Sequence, residues 1–140
     1  MIKNALATLD LPPEAADWLL DLWRVTQFFD DVADDDTILR CHLDTALWAG
    51  LIKMPANPFF MANCSTLLPV VATMVLKWQA SDKAERNGRA DARSYSWRAG
   101  YYDVVLIVCH LCHGSDFDPE RALGLYGETL AEYLEEFPNA

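Results

Sequence analysis

The sequence has few basic residues. Its 140 residues include 11 lysines and arginines against 21 aspartates and glutamates, which gives a formal net charge of −10 at pH 7. Proteins that bind nucleic acids or anionic membrane surfaces do so largely through an excess of positive charge. The sequence therefore predicts no nucleic-acid binding and no binding to anionic membranes. If the partner is a protein, the charge favours a basic one.

The sequence also lacks a signal peptide and a long uninterrupted apolar run. Asp10, Pro12 and Pro13 interrupt the N-terminal segment before an apolar stretch of signal-peptide length has accumulated. The longest apolar run, VVLIVCHLC from Val104, is about half as long as a helix that crosses a bilayer. These absences predict a cytoplasmic protein that does not enter the membrane, with its four cysteines as free thiols.

No segment alternates apolar and polar residues with the period of a β-strand. Proline, glycine and capping residues instead divide the chain into helical segments. A hydrophobic content of 52% over 140 residues is enough for a core without disulfides. We expect an all-α fold, a single helical domain over residues 1–140 that forms a bundle of about five to seven helices.

The helix boundaries follow from these stop and start signals. The central helix, near residues 90–113, becomes apolar on all sides from Val104 and ends before Gly114, a typical C-terminal residue. The other expected segments are a short turn at 2–9, a long helix from Pro12 and Pro13 to about Asp34, a helix at 38–51 capped by Asp36 or Thr37, a short helix opened by Asn57-Pro58, a helix capped by Ser65 that reaches about Ala80, and a last helix from Asp118-Pro119 to about Phe137.

A run of aspartates ends the first long helix. Asp30 and Asp34 are one helical turn apart, and Asp31 and Asp34 are three residues apart, so their oxygens can converge on one hard cation. Without a cation they repel one another, and the helix dipole disfavours anions at this end. The pattern predicts an Mg²⁺ or Mn²⁺ site facing an interior cleft. The alternative is a solvated helix end, with these acids on the surface.

A second group of polar residues can complete such a site. Asp103, on the predicted central helix, can add a carboxylate to the metal or form an ion pair with Arg24. Arg98 and Tyr102 are one turn apart, and Arg98 suits an anionic ligand group. Gln27 lies on the same stripe of its helix as the aspartates. The predicted ligand-binding residues are therefore Arg24, Gln27, Arg98 and Tyr102. The alternative is a structural hydrogen bond between Asp103 and an arginine or tyrosine that fixes helix register.

Three resemblances bear on function. Asp30-Asp31-Val32-Ala33-Asp34 resembles the Asp-Asp-x-x-Asp motif of isoprenoid diphosphate synthases, which implies magnesium and a diphosphate in an all-α fold. Those enzymes are about twice as long, and Asp103 is the only counterpart of their second metal motif. The chain is loosely similar to all-α nucleotide pyrophosphatases, whose glutamate pairs it lacks. LWRVTQFFDDVADDD with NPFF, LLP and WRAGYYD resembles small phage-encoded helical proteins, which implies an origin but no chemistry.

The segment VCHLCHG has the Cys-x-x-Cys-His spacing of haem c attachment sites and is superficially similar to cytochromes c′. The missing export signal and the helix that follows argue against haem. Zinc bound by Cys109 with Cys112 or His113, completed by Cys41 or His42, is disfavoured because structural zinc ligands more often come from knuckles and loops. We interpret the cysteines as small buried hydrophobic residues and the histidines as helix-end residues.

Two functions are therefore predicted. In the first, Asp30, Asp31 and Asp34, with Asp103, hold a metal and position a phosphate or diphosphate ligand beside Arg98. In the second, the protein is a non-enzymatic, phage-type interaction or inhibitor protein that binds a basic host protein through its acidic surface and exposed aromatics. A homodimer can complete a site in a helical protein of this size.

Overall fold

Helices form nearly all of the regular structure. The computed structural model describes residues 1–137 of the chain, is 79% helical, and contains no β-strand in that range. The all-α prediction is confirmed.

The chain divides into two compact units at residue 64. Unit 1 is Met1–Cys64, and unit 2 begins at Ser65. The single-domain organisation stays a prediction. Unit 1 contains α1 (Ile2–Ala7), α2 (Pro13–Ala33), α3 (Arg40–Trp48), a π-helix (Ala49–Lys53) and α4 (Met54–Ala56). Helix α5 (Pro58–Arg86) begins in unit 1 and continues into unit 2, which also contains α6 (Ala92–Trp97), α7 (Gly100–His113), a 3₁₀ turn (Gly114–Asp116), α8 (Pro119–Leu123) and α9 (Leu130–Glu136).

The first half of α2 forms the core of unit 1. Pro13 occupies the first helical turn, where its missing N–H costs nothing. Trp18 and Leu22 are buried, as the apolar periodicity of this helix predicts. The Trp18 ring stacks on Phe60, with 5.5 Å between the ring centroids. The start of α5 is thereby attached to the core of unit 1.

The second half of α2 leaves the core. Val25 lies beside Gly50 of the π-helix, where an added Cβ would be 3.5 Å from a Val25 methyl group. One turn later, Phe29 is 57% exposed, and Val32 is 49% exposed. The three- and four-residue spacing of Trp18, Leu22, Val25, Phe29 and Val32 predicts one buried face of α2. This prediction is correct for Trp18 and Leu22 and wrong for Phe29 and Val32, about half of whose surface is exposed.

Helix α3 starts later than the sequence predicts. Its N-cap position is Leu39, and no side chain caps it, so the expected caps Asp36 and Thr37 are wrong. The preceding turn contains Asp35 with φ of +57°. A backbone in this region cannot continue a right-handed helix, which explains why the chain re-enters helical structure only at Arg40.

Helix α5 is continuous from Pro58 to Arg86, whereas the sequence predicts two helices with a new start at Ser65. Pro69 lies inside it. Polar side chains on α5 bond to their own helix: the Asn63 side-chain amide donates to the Phe59 carbonyl at 2.9 Å, and the Thr73 hydroxyl donates to the Pro69 carbonyl at 2.9 Å. Polar residues that bond in this way interrupt the apolar sequence but not the helix.

The predicted central helix near 90–113 is two helices. Asp91 caps α6 through a capping box with Ser94, and the chain leaves helical geometry at Ala99. Gly100 then begins α7 in close contact with Met74 of α5, where an added Cβ would be 3.1 Å from the Met74 Cα. A glycine allows this close approach.

Helix α7 provides the core of unit 2. Val104, Val105, Val108 and Cys109 are fully buried, which confirms the apolar central helix. The helix ends at His113, and Gly114 adopts φ of +78° as expected for a glycine at this position. The predicted last helix starts at Pro119 as expected but is divided into α8 and α9.

Candidate functional site

The predicted metal-binding aspartates lie at the C-terminal end of α2 in unit 1. Asp30 and Asp31 are partly exposed, Asp34 is the exposed C-cap residue, and Asp35 and Asp36 follow it on the surface. The interior cleft that the sequence predicts beside these aspartates stays a prediction. Within residues 1–137 no three His, Cys, Asp or Glu side chains form a group that could hold a metal ion. The Mg²⁺ or Mn²⁺ site stays a prediction.

The buried acid of α2 is Asp21, which the sequence reasoning did not single out. Its side chain is buried, and its Oδ1 accepts from Lys53 Nζ at 3.1 Å and from Arg24 at 3.3 Å. Arg24, predicted as a ligand or as the partner of Asp103, thus has a partner on its own helix. Gln27, one turn beyond Arg24, is partly exposed. The Lys53–Asp21 pair links α2 to the π-helix.

Asp103 lies on α7 in unit 2, not in the unit that holds the other three aspartates. It is partly exposed, and its Oδ2 accepts from Lys77 Nζ of α5 at 2.7 Å. Such a charge-assisted hydrogen bond accounts for an acid at the start of an otherwise apolar helix. The observed bond is structural, as the alternative interpretation of Asp103 proposed, but the partner is a lysine.

Arg98, the predicted anion-binding residue, is surrounded by protein groups of unit 2. Its guanidinium carbon lies 5.1 Å from the ring centroid of Tyr133 and 5.2 Å from that of Phe137. Its nitrogens are 3.6 Å from Glu85 Oε2 and 3.9 Å from Glu128 Oε2. We call these five residues the Arg98 cluster. Two carboxylates beside the guanidinium disfavour a bound anion there.

The electrostatics of the Arg98 cluster follow from burial and from this pairing. Burial alone would lower the pKa of Arg98, but the carboxylates of Glu85 and Glu128 outweigh it and raise that pKa. Burial raises the pKa of Tyr133 to about 12. The Tyr133 hydroxyl donates to Glu85 Oε2 at 2.8 Å and also bonds the Ser94 hydroxyl at 2.7 Å. The cluster therefore connects α5, α6 and α9 as a structural network.

Tyr102, the predicted neighbour of Arg98, lies on the other side of the helix break. It is buried, and its ring packs against Tyr101 and Tyr126 at centroid distances of 5.4 Å each. Burial raises its pKa. The expected sharing of one helical face by Arg98 and Tyr102 is wrong, because Arg98 ends α6 and Tyr102 belongs to α7. Tyr102 is a core residue.

Glu128 provides a pH-dependent test of this cluster. Burial raises the pKa of Glu128 above its ordinary value, and Glu136 and Glu132 raise it further against the opposing effect of Arg98. Between the ordinary and the raised pKa, the folded state holds a proton that the unfolded state has lost, so stability falls as pH rises through this window. Glu128→Gln is expected to increase the free energy of unfolding at pH 7 by less than about 1 kcal/mol and to have no effect below pH 4.

Urea unfolding of wild type and Glu128→Gln at pH values from about 3.5 to 7.5 measures this difference. The matched control is Glu120→Gln, an exposed position on α8. A Glu128→Gln protein that is less stable than wild type at pH 7 would show that the bond to Arg98 outweighs burial.

The cysteines of α7 are poorly suited to metal or nucleophilic chemistry. Burial raises the pKa of Cys109 to about 11 and also raises that of Cys112, so both thiols are protonated at neutral pH. The ring of His113 stacks on Phe117, with 5.6 Å between the centroids. Cys41, on α3 in unit 1, is exposed, as is the neighbouring His42. Of the two α7 cysteines interpreted as small buried hydrophobic residues, Cys109 is buried and Cys112 is only partly buried.

The most unusual surface of unit 1 is apolar. Helix α2 packs against α3 and the π-helix. We call residues 13–53, which contain these three segments, the α2–α3 hairpin. At one end of the hairpin, Trp48 is 61% exposed and Leu51 69% exposed, with Leu47 and Ile52 also exposed. Large exposed apolar patches usually mark interaction surfaces. These residues occur in the sequence as Leu47-Trp48 and Leu51-Ile52. This pattern is equally typical of a buried helix face.

Helix α5 carries a second exposed apolar surface. Of the helices in residues 1–137, it alone is long and apolar enough to cross a membrane by length and composition. Its most apolar 18-residue window has a mean hydropathy of 1.8 and is only 11% buried. Core helices of soluble proteins can pass the same criterion. The absence of a membrane span stays a prediction, as does the cytoplasmic location.

Comparison with known proteins identifies no relative. No family model, no curated protein and no solved structure matches the chain.

Proposed function

We propose that this protein is a non-enzymatic interaction protein that binds a basic, partly apolar protein segment through the α2–α3 hairpin. The observation that supports this proposal is the exposure of Trp48 and Leu51 at one end of the hairpin. Tryptophan is among the residues most enriched at the energetic centres of protein interfaces. An unused Trp–Leu surface of this kind fits binding of a partner.

The charge of the hairpin supports a basic partner. Asp30, Asp31, Asp34, Asp35 and Asp36 follow one another at its other end, next to the exposed Phe29 and Val32. Carboxylates at the rim of an apolar surface attract a cationic partner and accelerate its association. The hairpin thus carries both apolar contact area and negative charge, which suits an amphipathic basic helix or strand.

Binding of a synthetic amphipathic helix made of lysine and leucine tests this proposal. Isothermal titration calorimetry at about 50 mM and about 500 mM salt would compare wild type with two variants. Asp30→Asn/Asp31→Asn/Asp34→Asn is expected to weaken binding about tenfold at low salt and hardly at all at high salt. Trp48→Ser is expected to weaken it about tenfold at both salt concentrations.

The matched control removes the same amount of charge elsewhere. Asp116→Asn/Glu120→Gln/Glu135→Gln neutralises three exposed acids of unit 2. Equal weakening by the two triple variants would show that only net charge matters and would contradict the proposal. Mg²⁺ that raises the Tm of wild type, but not that of the Asp30/Asp31/Asp34 variant, would assign these carboxylates to a metal and favour the predicted metal site instead.

A further inference from the structure

Helix α5 has an exposed face with a regular helix-pairing repeat. Leu68 is 55% exposed, Val75 41% and Leu76 64%. Met61, Leu68 and Val75 are seven residues apart, and Ser65, Ala72 and Gln79 lie between or beyond them at the alternating three- and four-residue spacing of a coiled-coil seam. All six are exposed or nearly so in the structure. We call them the α5 seam.

The opposite face of α5 is already covered by its own chain. Leu67, Met74, Ser81 and Ala84 are buried, at the same average spacing of three to four residues. The apolar residues of the α5 seam are therefore additional to those that the fold needs. An exposed row of large apolar side chains on an otherwise acidic surface is costly in water and indicates an occupant.

We propose that the occupant is a second copy of this chain, paired antiparallel along the α5 seam. The distribution of charge favours this occupant. Two copies that each carry a net charge of −10 repel over most of their surfaces. Between Lys53 and Lys77, however, the sequence has no charged residue. The first part of α5 is thus the longest stretch at which two copies can approach without like charges facing each other.

The shape of the seam supports the same occupant. Its large residues, Met61, Leu68 and Val75, alternate with the smaller or polar Ser65, Ala72 and Gln79. In an antiparallel pair with two-fold symmetry, Leu68 faces Ala72 of the second copy, and Val75 faces Ser65 of it. Each of these two layers then combines one large and one small side chain, which is how packed layers interdigitate, and Met61 faces Gln79 at the ends of the seam.

The size of the seam sets the expected affinity. From Met61 to Gln79 the helix rises about 27 Å, and a strip about 10 Å wide along it covers on the order of 300 Å². Stable interfaces bury about 800 Å² on each partner. We therefore expect a transient dimer rather than a stable one.

A lipid surface is a less suitable occupant. Ser65, Thr66 and Thr73 are exposed along the same stretch of α5, and Lys77 is held in its bond with Asp103. Leu67 and Met74 are buried against the rest of the chain, whereas a lone helix that spans a membrane is apolar around its whole circumference. The experiment must therefore distinguish membrane binding from dimerisation.

Sedimentation equilibrium of the full chain between about 5 and 500 μM tests the proposal. Wild type is expected to pass from monomer to dimer over this range. Leu68→Glu, which places two charges beside the symmetry axis, is expected to weaken the dimer at least tenfold. The matched control is Leu51→Glu at an exposed leucine of the α2–α3 hairpin, which is expected to leave dimerisation unchanged. Circular dichroism verifies that both variants are folded.

Further outcomes separate this proposal from its rivals. Gln79→Leu, which puts an apolar residue opposite Met61, is expected to tighten the dimer severalfold. Wild type that stays monomeric at 500 μM, or that is weakened equally by Leu68→Glu and Leu51→Glu, would overturn the proposal. So would flotation of wild type, but not of Leu68→Glu, with phosphatidylcholine vesicles. Because the proposed function depends on Trp48 and not on Leu68, either proposal can fail without the other.

Discussion

Replacement of Trp18 by alanine is expected to lower the free energy of unfolding by about 3–5 kcal/mol. Trp18 is 1% exposed, and its ring stacks on Phe60 at an interplanar angle of 12°. Loss of the indole removes the largest fully buried side chain of the first 64 residues and leaves a cavity between α2 and the start of α5. Thermal unfolding should show a Tm lower by on the order of 10–15 °C.

A conservative substitution at the same position separates packing from hydrogen bonding. The Trp18 indole N–H is buried and has no hydrogen-bond partner in the structure. Trp18→Phe keeps most of the stacking area and removes this unsatisfied donor, so it is expected to change stability by about 1 kcal/mol or less. If Trp18→Phe were as destabilising as Trp18→Ala, the indole N–H would have to be bonded in solution, and the assignment of its role to packing would be wrong.

The sequence predicts α2 well at its start and poorly at its end. The spacing of Trp18 and Leu22 indicates a buried face, and both are buried. The same spacing extends to Phe29, which is exposed, because periodicity shows which residues share a face but not whether another helix covers that face. For the same reason, the spacing of Asp30, Asp31 and Asp34 does not show whether another part of the chain covers them. Their spacing is suitable for a cation, but the sequence does not show that this end of α2 projects from the core.

Two of the errors in helix boundaries have identifiable physical causes. Ser65 and Pro69 are typical of helix starts, but α5 continues through both of them. The break between α6 and α7 was accessible from the sequence, since Gly100 is a poor helix former in the middle of the predicted central helix. What the sequence does not show is that Gly100 is there for its contact with Met74, which lies 26 residues earlier in the chain.

The candidate surfaces were less predictable than the fold. Trp48, Leu51 and Leu68 all occur in apolar segments that resemble core helices, and only the structure distinguishes their exposed side chains from buried ones. A charged residue on such a face would have indicated that the face is exposed to solvent, but the α5 seam contains no charged residue. Function in this protein is therefore expected where apolar residues lack cover, and such positions cannot be recognised from composition or spacing alone.

Arg98→Met is expected to destabilise the protein by about 3–5 kcal/mol, because it removes a guanidinium that lies beside two largely buried carboxylates. The side chains of Glu85 and Glu128 are 11% and 25% exposed, and they lose the guanidinium that lies 3.6 and 3.9 Å from them. The stacking of Arg98 on Tyr133 and Phe137 is lost at the same time. Arg98→Lys, which keeps the charge but not the planar group, is expected to cost less than half as much.

A double-mutant cycle assigns this effect to the carboxylates. If repulsion and desolvation of Glu85 and Glu128 cause the loss, then Arg98→Met combined with Glu128→Gln will recover about 1 kcal/mol or more relative to Arg98→Met alone. If Arg98 instead binds an anionic ligand, as the sequence predicts, Arg98→Met will leave unfolding in the absence of ligand almost unchanged, and inorganic phosphate will raise the Tm of wild type only. Urea unfolding with and without phosphate therefore separates the structural from the ligand-binding role of Arg98.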